Sequence, residues 1–404
     1  MSEWKVSPVH ELFFLGRGRV ISGEELTAHP GEFPVYSSQT SNEGEFGRID
    51  TYDFEGEMIT WTTDGANAGT VYYRSGKFNC TNVCGTLRAK DAEKVDHRYF
   101  SLLLSTHAKN HVSYIGNPKL MNGEMSKIRL NFPPLPEQRL IAKILDTLDT
   151  AIRRTEDIIA KLQKVKDGLL HDLLTRGVDE SGQLRPRSED APHLYKDSPL
   201  GKIPKEWEVR DVRWLGEVVT GFTPPTENSV LWGDGIDFVT PAEISDSGEL
   251  SESKRKVTKL GLKYVRLLPP GSVLCVCIGS TIGKVAFSEN PLCTNQQINA
   301  LIPSAGIDKQ YAFQVLRKFS SNLEKVAGLQ AVPIVNKTTF SSLLVVIAEG
   351  CEQTKIGLEV KTASLAINTE ARILDKLRLQ KQGLMNDLLT GKVRVTELLK
   401  QEAV

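Results

Sequence analysis

The residues whose types suggest chemistry fall into a few short motifs, and each departs from the spacing that its chemistry requires. GSTIGKV, from Gly279 to Val285, resembles a phosphate-binding loop, but its glycines are too close together and a Mg²⁺-binding Ser or Thr is missing. FLGRG at Phe14 resembles the loop that cradles S-adenosylmethionine in methyltransferases, yet too little chain precedes it to form the supporting strand. NFPPL at Asn131 resembles the motif that grips a target adenine, but Phe132 separates the asparagine from the prolines. These motifs therefore predict no cofactor site.

Acidic and cysteine side chains also lack the spacing of a catalytic or metal site. Asp53, Glu55 and Glu57 alternate with other residues, which is more typical of an exposed turn than of paired catalytic carboxylates. The six cysteines include two close pairs, but neither has a second Cys or His pair at zinc-finger spacing. We expect reduced, mostly buried thiols. The sequence favours a non-catalytic binding protein that holds no metal and no cofactor.

Length and composition indicate a globular protein of two or three domains. The chain has 404 residues, of which 40% are hydrophobic and 25% charged. It has no apolar stretch of about 18 residues and no signal-like N-terminus, which predicts a cytoplasmic protein. Its 50 basic and 50 acidic residues cancel, which argues against a general polyanion binder but is compatible with a local basic face.

The sequence stretches that would position binding residues occur twice along the chain, as an internal repeat. KDGLLHDLLTRGV (166–178) matches KQGLMNDLLTGKV (381–393) without a gap, 215 positions later. CTNVCGTL at Cys80 matches CTNQQINAL at Cys293 with an offset of 213, and the openings EWKV and EWEV match with an offset of 203. The change in offset places about a dozen extra residues in the second half, within VTPAEISDSGELSESKRKVTK. Between the halves, GVDESGQLRPRSEDAPHLYKDSPLGKIP is rich in turn-forming residues and is predicted to be a connector.

Each half ends in a helix with a heptad pattern. In the first, apolar side chains recur every seven residues from Ile141, with a second series three residues on, over about four heptads. Thr155 interrupts this seam, and Glu370 interrupts the second copy at the matching place. Because a stripe of this width must be buried, we predict that the two helices pack antiparallel as a coiled coil. An ordinary bundle helix is the alternative.

The rest of each half is predicted to be α+β. GEMITWTTDG, TVYYRSGKF and VCGTLRAK in the first half, and GSVLCVCIG, GKVAFS and INALIPS in the second, are typical of short strands between Gly-containing turns. A helix follows the strands in both halves, HRYFSLLLSTHAKNHV in the first and KQYAFQVLRKFSSNLEKVA in the second. The same order in both copies strengthens each assignment.

Several stretches resemble one family, the DNA specificity (S) subunits of type I restriction-modification systems. In the globular halves these are FPVYSSQTSNEGEFGRIDTYDFEGEMITWTTDGANAGTVYYRSGKF, VVTGFTPP and VLCVCIGSTIGKVAFSENPLCTNQQINALIP. PPLPEQRLIAKILDTLD, the paired helix endings and PHLYKDSPLGKIPKEWEV complete a likeness that covers nearly the whole chain. The second half departs from the pattern where AEGCEQTKI replaces the usual P-x-x-E-Q run.

The resemblance implies an α+β fold with two globular target recognition domains, separated by two long antiparallel coiled-coil helices in a pseudo-two-fold internal repeat. The implied segments are target recognition domains at 1–133 and 204–347, spacer helices at 134–177 and 348–404 (the latter with a C-terminal tail), and a connector at 178–203.

The function implied by the resemblance is a non-catalytic, sequence-specific DNA-binding subunit. Each target recognition domain would read one half of a bipartite target on double-stranded DNA, and the dissimilar domains predict an asymmetric target. Two modification subunits would methylate adenine with S-adenosylmethionine, and restriction subunits would use ATP and Mg²⁺ for translocation and cleavage. The repeated helix ending would dock the two identical modification subunits. The alternatives are a coiled-coil scaffold with two binding modules and no DNA specificity, or a self-contained methyltransferase or nuclease, whose motifs are missing.

Polar loop side chains are the candidates for reading bases, because Asn and Gln pair with adenine and Arg and Lys pair with guanine. The alternative for each is a turn residue that satisfies its own backbone. Asn82 and Asn295 occupy matching repeat positions and suit either role. The predicted DNA-binding residues are Ser37, Ser38, Gln39, Thr40, Asp64, Asn67 and Asn82 in the first half, and Thr223, Ser280, Thr281, Lys284, Asn295, Gln296 and Gln297 in the second.

Overall fold

The computed structural model describes residues 4–323 and 333–402. The chain divides into two compact units, and each unit is built around part of both long helices. Unit 1 comprises Met1–Asp157 with Arg372–Val404, and unit 2 comprises Ile158–Ala371.

Unit 1 contains short strands and helices that follow the predicted glycine turns. Its strands are β1 Lys5–Pro8, β2 Phe13–Arg17, β3 Pro30–Tyr36, β4 Glu45–Ile49, β5 Phe54–Glu55, β6 Met58–Thr62, β7 Val71–Arg74, β8 Lys77–Cys80, β9 Cys84–Ala89 and β10 Arg129–Phe132. Its helices are α1 Val9–Leu12, α2 Gly23–Ala28, α3 His97–His107, α4 Asn122–Lys127 and the first part of α5 Leu135–Leu173. One sheet has the order β2-β9-β6-β7, another has the order β4-β3-β8-β5, and β1 pairs with β10.

Unit 2 contains the corresponding elements of the second half. Its strands are β11 Tyr195–Ser198, β12 Gly201–Pro204, β13 Glu208–Asp211, β14 Gly216–Thr220, β15 Trp232–Val239, β16 Arg255–Val257, β17 Val273–Val276, β18 Val285–Phe287, β19 Leu292–Thr294, β20 Ile298–Pro303 and β21 Leu344–Ile347. The helices that follow in the chain are α6 Lys309–Phe319, α7 Lys337–Ser341, α8 Gly350–Leu389 and α9 Thr396–Glu402, the last lying in unit 1. The sheets are β14-β20-β17-β18, β16-β15-β19, β13-β21 and β11-β12. The end of the helix predicted from KQYAFQVLRKFSSNLEKVA, from position 324 onward, lies outside the described residues.

The two units share one topology, which confirms the predicted internal repeat. The sheet β14-β20-β17-β18 has the strand order of β2-β9-β6-β7, and the parallel pair β15-β19 corresponds to β3-β8. After these strands come α3 and α6, each capped by an aspartate that accepts a 2.8 Å hydrogen bond from the tyrosine N–H three residues on, Asp96 from Tyr99 and Asp308 from Tyr311. The extra residues of the second half lie between β15 and β17, where the offset of the paired strands changes.

The two long helices are continuous and run antiparallel. α5 has 39 residues and α8 has 40. Within unit 1, Lys381 pairs with Asp149 and Arg378 pairs with Glu156 at 2.7 Å, so the α8 numbers fall as the α5 numbers rise. Thr155, the polar break in the α5 seam, is buried and donates its hydroxyl to the Ala151 carbonyl at 2.9 Å, which satisfies it without a partner across the seam.

Two leucines of each repeated helix ending are buried in the cores of the two units. Leu173 and Leu174 at the end of α5 belong to the core of unit 2, and Leu388 and Leu389 at the end of α8 belong to the core of unit 1. A left-handed glycine follows α5, and a Cβ on this Gly177 (φ +64°) would lie 2.0 Å from a Glu352 carboxylate oxygen. Each unit is thus completed by the ending of the other repeat. The leucines of the repeated stretch therefore have an intramolecular role, which the docking interpretation did not foresee.

The predicted connector is an ordered part of unit 2. It contains the β11-β12 hairpin and carries Arg185, which donates to the buried Glu352 at 2.6 Å. The same carboxylate accepts from the Val178 backbone N–H at 2.7 Å and from Trp207 Nε1 at 2.9 Å. The connector is therefore not a free linker. Its Arg185 binds the carboxylate of Glu352 in the first turn of α8 and so fixes the connector to the start of this helix.

Candidate nucleic-acid interface

The predicted residues of unit 1 lie in three neighbouring loops at the ends of the sheet strands. Ser37, Ser38, Gln39 and Thr40 follow β3, Asp64 and Asn67 follow β6, and Asn82 joins β8 to β9. Hydrogen bonds tie these loops together. Asn67 Nδ2 donates to the Ser38 carbonyl at 3.1 Å, and the Thr81 hydroxyl donates to Ser37 Oγ at 2.9 Å. Gln39 Nε2 donates to the Glu45 carbonyl across the base of its own loop.

Arg17, which the sequence analysis did not select, lies at the centre of these loops. Its Nε donates to the Asn82 carbonyl at 2.5 Å, and its Nη2 donates to Asp64 Oδ2 at 3.1 Å. Lys119 lies 3.9 Å from the other Asp64 oxygen. Asp64 therefore orients two cations, and the Arg17 side chain keeps 38% of its exposure. In the sequence, the FLGRG stretch was the feature that could have indicated Arg17. Its arginine ends β2 next to the β8–β9 loop.

Arg19 extends the basic character of this edge but is held by two carboxylates. It lies 2.6 Å from a Glu25 oxygen and 3.0 Å from an Asp53 oxygen. The hydrogen bond that Arg19 donates to the Glu25 carboxylate is the main cause that raises the pKa of Arg19. The acidic stretch that the sequence predicts as an exposed turn thus supplies Asp53 as an ion-pair partner.

Arg74 supports the β3–β4 loop from below. Its guanidinium stacks 3.5 Å from the centre of the Tyr36 ring and 4.4 Å from that of Tyr72, and it donates to the Glu43 carbonyl. Burial lowers the pKa of this arginine. Asn42 and Glu43 adopt positive φ angles of 48° and 51°, a conformation that costs free energy in non-glycine residues. Arg74 therefore holds the loop in a shape that its own residues disfavour.

Four of the predicted residues of unit 2 form a neutral cluster of amide and hydroxyl groups. Thr223 Oγ1 donates to Gln296 Oε1 at 2.7 Å, and Asn295 Nδ2 donates to Gln297 Oε1 at 2.8 Å. Asn295 Oδ1 also accepts the Gln297 backbone N–H at 3.1 Å, and Asn295 is 8% exposed. Asn295 therefore satisfies its own turn, whereas Gln296 is exposed.

The β17–β18 loop lies beside this cluster, while Lys284 faces elsewhere. The Cys277 backbone N–H donates to the Gln297 carbonyl at 2.8 Å, and a Cβ on Gly279 would lie 3.7 Å from Gln297 Nε2, so the loop that carries Ser280 and Thr281 lies beside Gln297. Lys284 instead forms a 2.7 Å ion pair with Asp246, in the long β15–β16 connection. The structure thus brings together most of the predicted residues in each unit and separates Lys284 from them.

Two aromatic residues of unit 2, the exposed Phe222 and the half-buried Trp232, were also missed. Phe222 is 60% exposed, directly before Thr223, and its backbone N–H donates to the Thr294 carbonyl at 2.9 Å. Trp232 lies under the Arg255 guanidinium, 3.5 Å from its ring centre. Apolar side chains at such an edge can contact thymine methyl groups or stack on bases. TGFTPP was the available signal for Phe222.

The described residues hold no group of three or more His, Cys, Asp or Glu side chains placed to bind a metal ion. Five of the cysteines are buried, and burial raises the pKa of Cys84 and of Cys293 to about 11. Such thiols remain protonated and unreactive at neutral pH. No helix in the described parts of the chain is both long enough and apolar enough to cross a membrane.

Comparison with known proteins identifies a family and several relatives that this chain resembles. The family described as type I restriction modification DNA specificity domain matches residues 1–164 and again residues 204–379. The N-terminal part of a type I specificity subunit of Mycoplasma pneumoniae is 46% identical over 144 residues, which cover 35% of this chain and 76% of that protein. The MpnII specificity subunit of the same organism is 46% identical over 138 residues, 34% of this chain and 41% of that protein.

Solved structures share the fold over nearly the whole chain. The S subunit of a type I restriction-modification system from M. genitalium aligns with a TM-score of 0.66 at 16% identity, covering 95% of this chain and 96% of that one. A second type I restriction-modification chain aligns with a TM-score of 0.55 at 14% identity and covers 96% and 98%.

The duplicated α+β unit, the shared long helices and the two sets of polar loops define a two-module binding protein. The chain belongs to the family of type I restriction-modification DNA specificity domains, and the two matches follow its internal repeat. As a member of this family it serves DNA sequence specificity.

Proposed function

We propose that this chain selects a bipartite, asymmetric DNA sequence and directs adenine methylation and ATP-dependent cleavage by partner subunits. The observation that supports this most directly is the pairing of one topology with two different polar loop sets. Unit 1 presents a charged cluster around Arg17 and Asp64, and unit 2 presents neutral amides around Thr223 and Gln296. Modules that share a framework but differ at the contact loops suit a target with two unlike halves.

In unit 1 we assign guanine recognition to Arg17. Guanidinium groups carry five N–H donors, and the Asn82 carbonyl, Asp64 and the more distant Thr63 hydroxyl use part of this set at the Nε and Nη2 atoms. The remaining donors can pair with the O6 and N7 atoms of guanine. Because Asp64 already fixes the side chain, less conformational entropy is lost when the base binds. Asp64 is thus a positioning residue for Arg17.

In unit 2 we assign adenine recognition to Gln296, with Thr223 as its positioning residue. Gln296 is exposed, and the Thr223 hydroxyl occupies its amide oxygen at 2.7 Å. An amide can pair bidentately with the N6 and N7 atoms of adenine when it rotates to release that hydroxyl. The two half-sites would then differ in their contacted base.

We further propose two modification subunits and separate restriction subunits as partners, acting in the cytoplasm. Repeat-matched surfaces support a pair of identical partners. Ile158 and Ile373, 215 positions apart, are each 43% exposed, although both lie on heptad helices. Gly168 and Gly383, also matched, face open space. S-adenosylmethionine, ATP and Mg²⁺ would be used by those partners and not by this chain.

The test is to reconstitute the chain with its modification subunits and to map methylated adenines on random duplex DNA. A split sequence with two unlike halves is the expected product. A gel-shift assay at physiological salt should show preference for that sequence over random duplex. Absence of any preferred split sequence would favour a scaffold without DNA specificity.

A further inference from the structure

A cleft in unit 2 differs in charge from the matching surface of unit 1. It has a volume of about 640 Å³ and lies between the α5, α6 and α8 segments of this unit and the loops that follow β15 and β18. Its floor is apolar and includes Phe287, Phe313 and Leu365. Lys166 and Arg317 lie in its wall, both half-buried.

The repeat shows which charges this cleft has lost. In unit 1, Lys381 pairs with Asp149, and Arg98 pairs with Asp146 at 2.6 Å. The residues 215 positions from these aspartates are Ser364 and Lys361, and both line the cleft. Lys166 matches Lys381, and the position that matches the carboxylate partner of Lys381 is a serine in this cleft.

The cations of the cleft wall are left without ion pairs. No ion pair joins Lys166 or Arg317 to a carboxylate in the described parts of the chain. Burial is the main cause that lowers the pKa of Lys166, and the Arg317 charge is the next, which places the two cations near each other. The carboxylates of Asp167 and Glu249 also act on the Lys166 charge, but neither forms an ion pair with it among the described residues. Two neighbouring half-buried cations that lack a direct ion pair favour a bound anion.

A buried amide in the same wall also lacks a partner. Gln314 lines the cleft, is 3% exposed, and its Oε1 atom accepts no hydrogen bond within the described residues. The matching residue of unit 1 is Leu102, which packs against the apolar core. A buried acceptor without a donor costs free energy unless a ligand supplies an N–H or O–H group.

The cleft rim limits what can enter. Glu249, Glu252 and Glu289 line the facing loops and are exposed. These carboxylates repel an extended polyanion such as a nucleic-acid backbone, while a compact ligand can reach the cations of the wall.

We propose that unit 2 binds a small organic anion in this cleft, with a carboxylate or phosphate group between Lys166 and Arg317 and an N–H or O–H donor at Gln314. This ligand site is separate from the polar loops assigned to DNA and does not depend on the proposed function. Its affinity is measured on the full chain without DNA or partner subunits.

Isothermal titration with adenosine 5′-monophosphate and with N-acetylglutamate tests the phosphate and carboxylate forms, and neutral adenosine is the control. We expect saturable binding of one of the two anions, and none of adenosine. Ser364→Asp restores the carboxylate of unit 1 next to Lys166 and should weaken binding at least about tenfold. Gln314→Leu, which installs the unit 1 residue, should also weaken it.

Lys381→Met is the matched control, because it removes the corresponding lysine of unit 1 and should leave anion binding unchanged. Thermal melts confirm that each variant is folded. The proposal is overturned if neither anion binds at concentrations up to about 10 mM. Binding that survives both Ser364→Asp and Gln314→Leu would equally overturn it, since the anion would then lie elsewhere.

Discussion

Unit 1 and unit 2 share a framework and differ in how they fix their loops. In unit 1 the loops are fixed by charge, with Asp64 between Arg17 and Lys119. In unit 2 they are fixed by neutral amide and hydroxyl groups, with Thr223 on Gln296. The strand order behind the loops is the same. The framework therefore sets the positions of the contact residues, while the chemistry of the loops is free to vary.

The units also differ in how they seal the start of their long helix. Glu352 in unit 2 accepts from Arg185, Trp207 and the Val178 backbone. The matching Glu137 in unit 1 pairs with Arg394, whereas the buried Trp4 Nε1 has no hydrogen-bond partner among the residues that the structure describes. In unit 2, a single carboxylate therefore accepts more of the hydrogen bonds that hold the start of the long helix.

The largest expected effect comes from exchanging a whole recognition segment. Replacing residues 1–133 with those of another family member should change one half of the methylated sequence and leave the other half intact, because each unit has its own loops. Sequencing of methylated adenines measures this. Change in both halves, or in neither, would contradict modular reading.

The next effect concerns the two helix closures. Glu352→Ala would leave Arg185, Trp207 Nε1 and the Val178 N–H without their buried acceptor, and should reduce the free energy of unfolding by about 3–5 kcal/mol. Glu137→Ala should cost less, because Arg394 is more exposed than Arg185. Denaturant unfolding of both variants gives the comparison. Equal losses would show that the closures are equivalent.

A smaller effect is expected at the contact residues. Arg17→Ala should reduce discrimination at one base of the unit 1 half-site by about 1–3 kcal/mol, and Gln296→Ala should do the same in the other half-site. Competition binding with single-base variants of the target measures both. Lys127→Ala removes an exposed ion pair with Glu124 and serves as the control. Loss of affinity that is uniform over all bases would make Arg17 a phosphate contact instead.

The smallest effect is a pH dependence of the stability that comes from Lys318 in unit 2. Burial lowers the pKa of Lys318 from 10.5 to about 8, and its Nζ donates to the Leu174 carbonyl at 2.8 Å. Between these pKa values the unfolded chain binds more protons than the folded chain, so stability rises with pH through this window. The matching residue of unit 1 is the uncharged Thr106.

Melting temperatures of the wild type and of Lys318→Met check this dependence. From pH 7.5 to 9.5 the wild type should gain stability relative to the variant. The difference in melting temperature between the wild type and Thr106→Val in unit 1 should stay the same over this pH range. A constant gap between wild type and Lys318→Met would mean that the lysine keeps its ordinary pKa.

The repeat made much of the fold predictable. Matching helix endings and a heptad seam indicate α5 and α8, and short strand-like stretches between Gly-containing turns indicate β6, β9, β17 and β20. These signals are local, because each element must bury its own apolar face. The order of both halves follows once one copy is assigned. This part of the prediction rests on periodicity, and the structure confirms it.

The remaining features depend on contacts between residues far apart in the chain. Arg17 gains its place from Asp64, 47 positions away, and Glu352 binds Arg185, 167 positions away. Nothing in the local sequence distinguishes these charges from other surface charges. Asn295 illustrates the reverse case, since its side chain looks suited to reading bases but satisfies its own turn.

The placement of the helix endings has a consequence for how the protein melts. Leu173 and Leu174 are encoded with the first repeat and complete the core of unit 2, while Leu388 and Leu389 are encoded with the second and complete that of unit 1. Each long helix, α5 or α8, contributes apolar side chains to both cores. Unwinding either helix therefore removes apolar side chains from both cores. We therefore expect one cooperative calorimetric transition for the whole chain, in place of the two that independent domains would give.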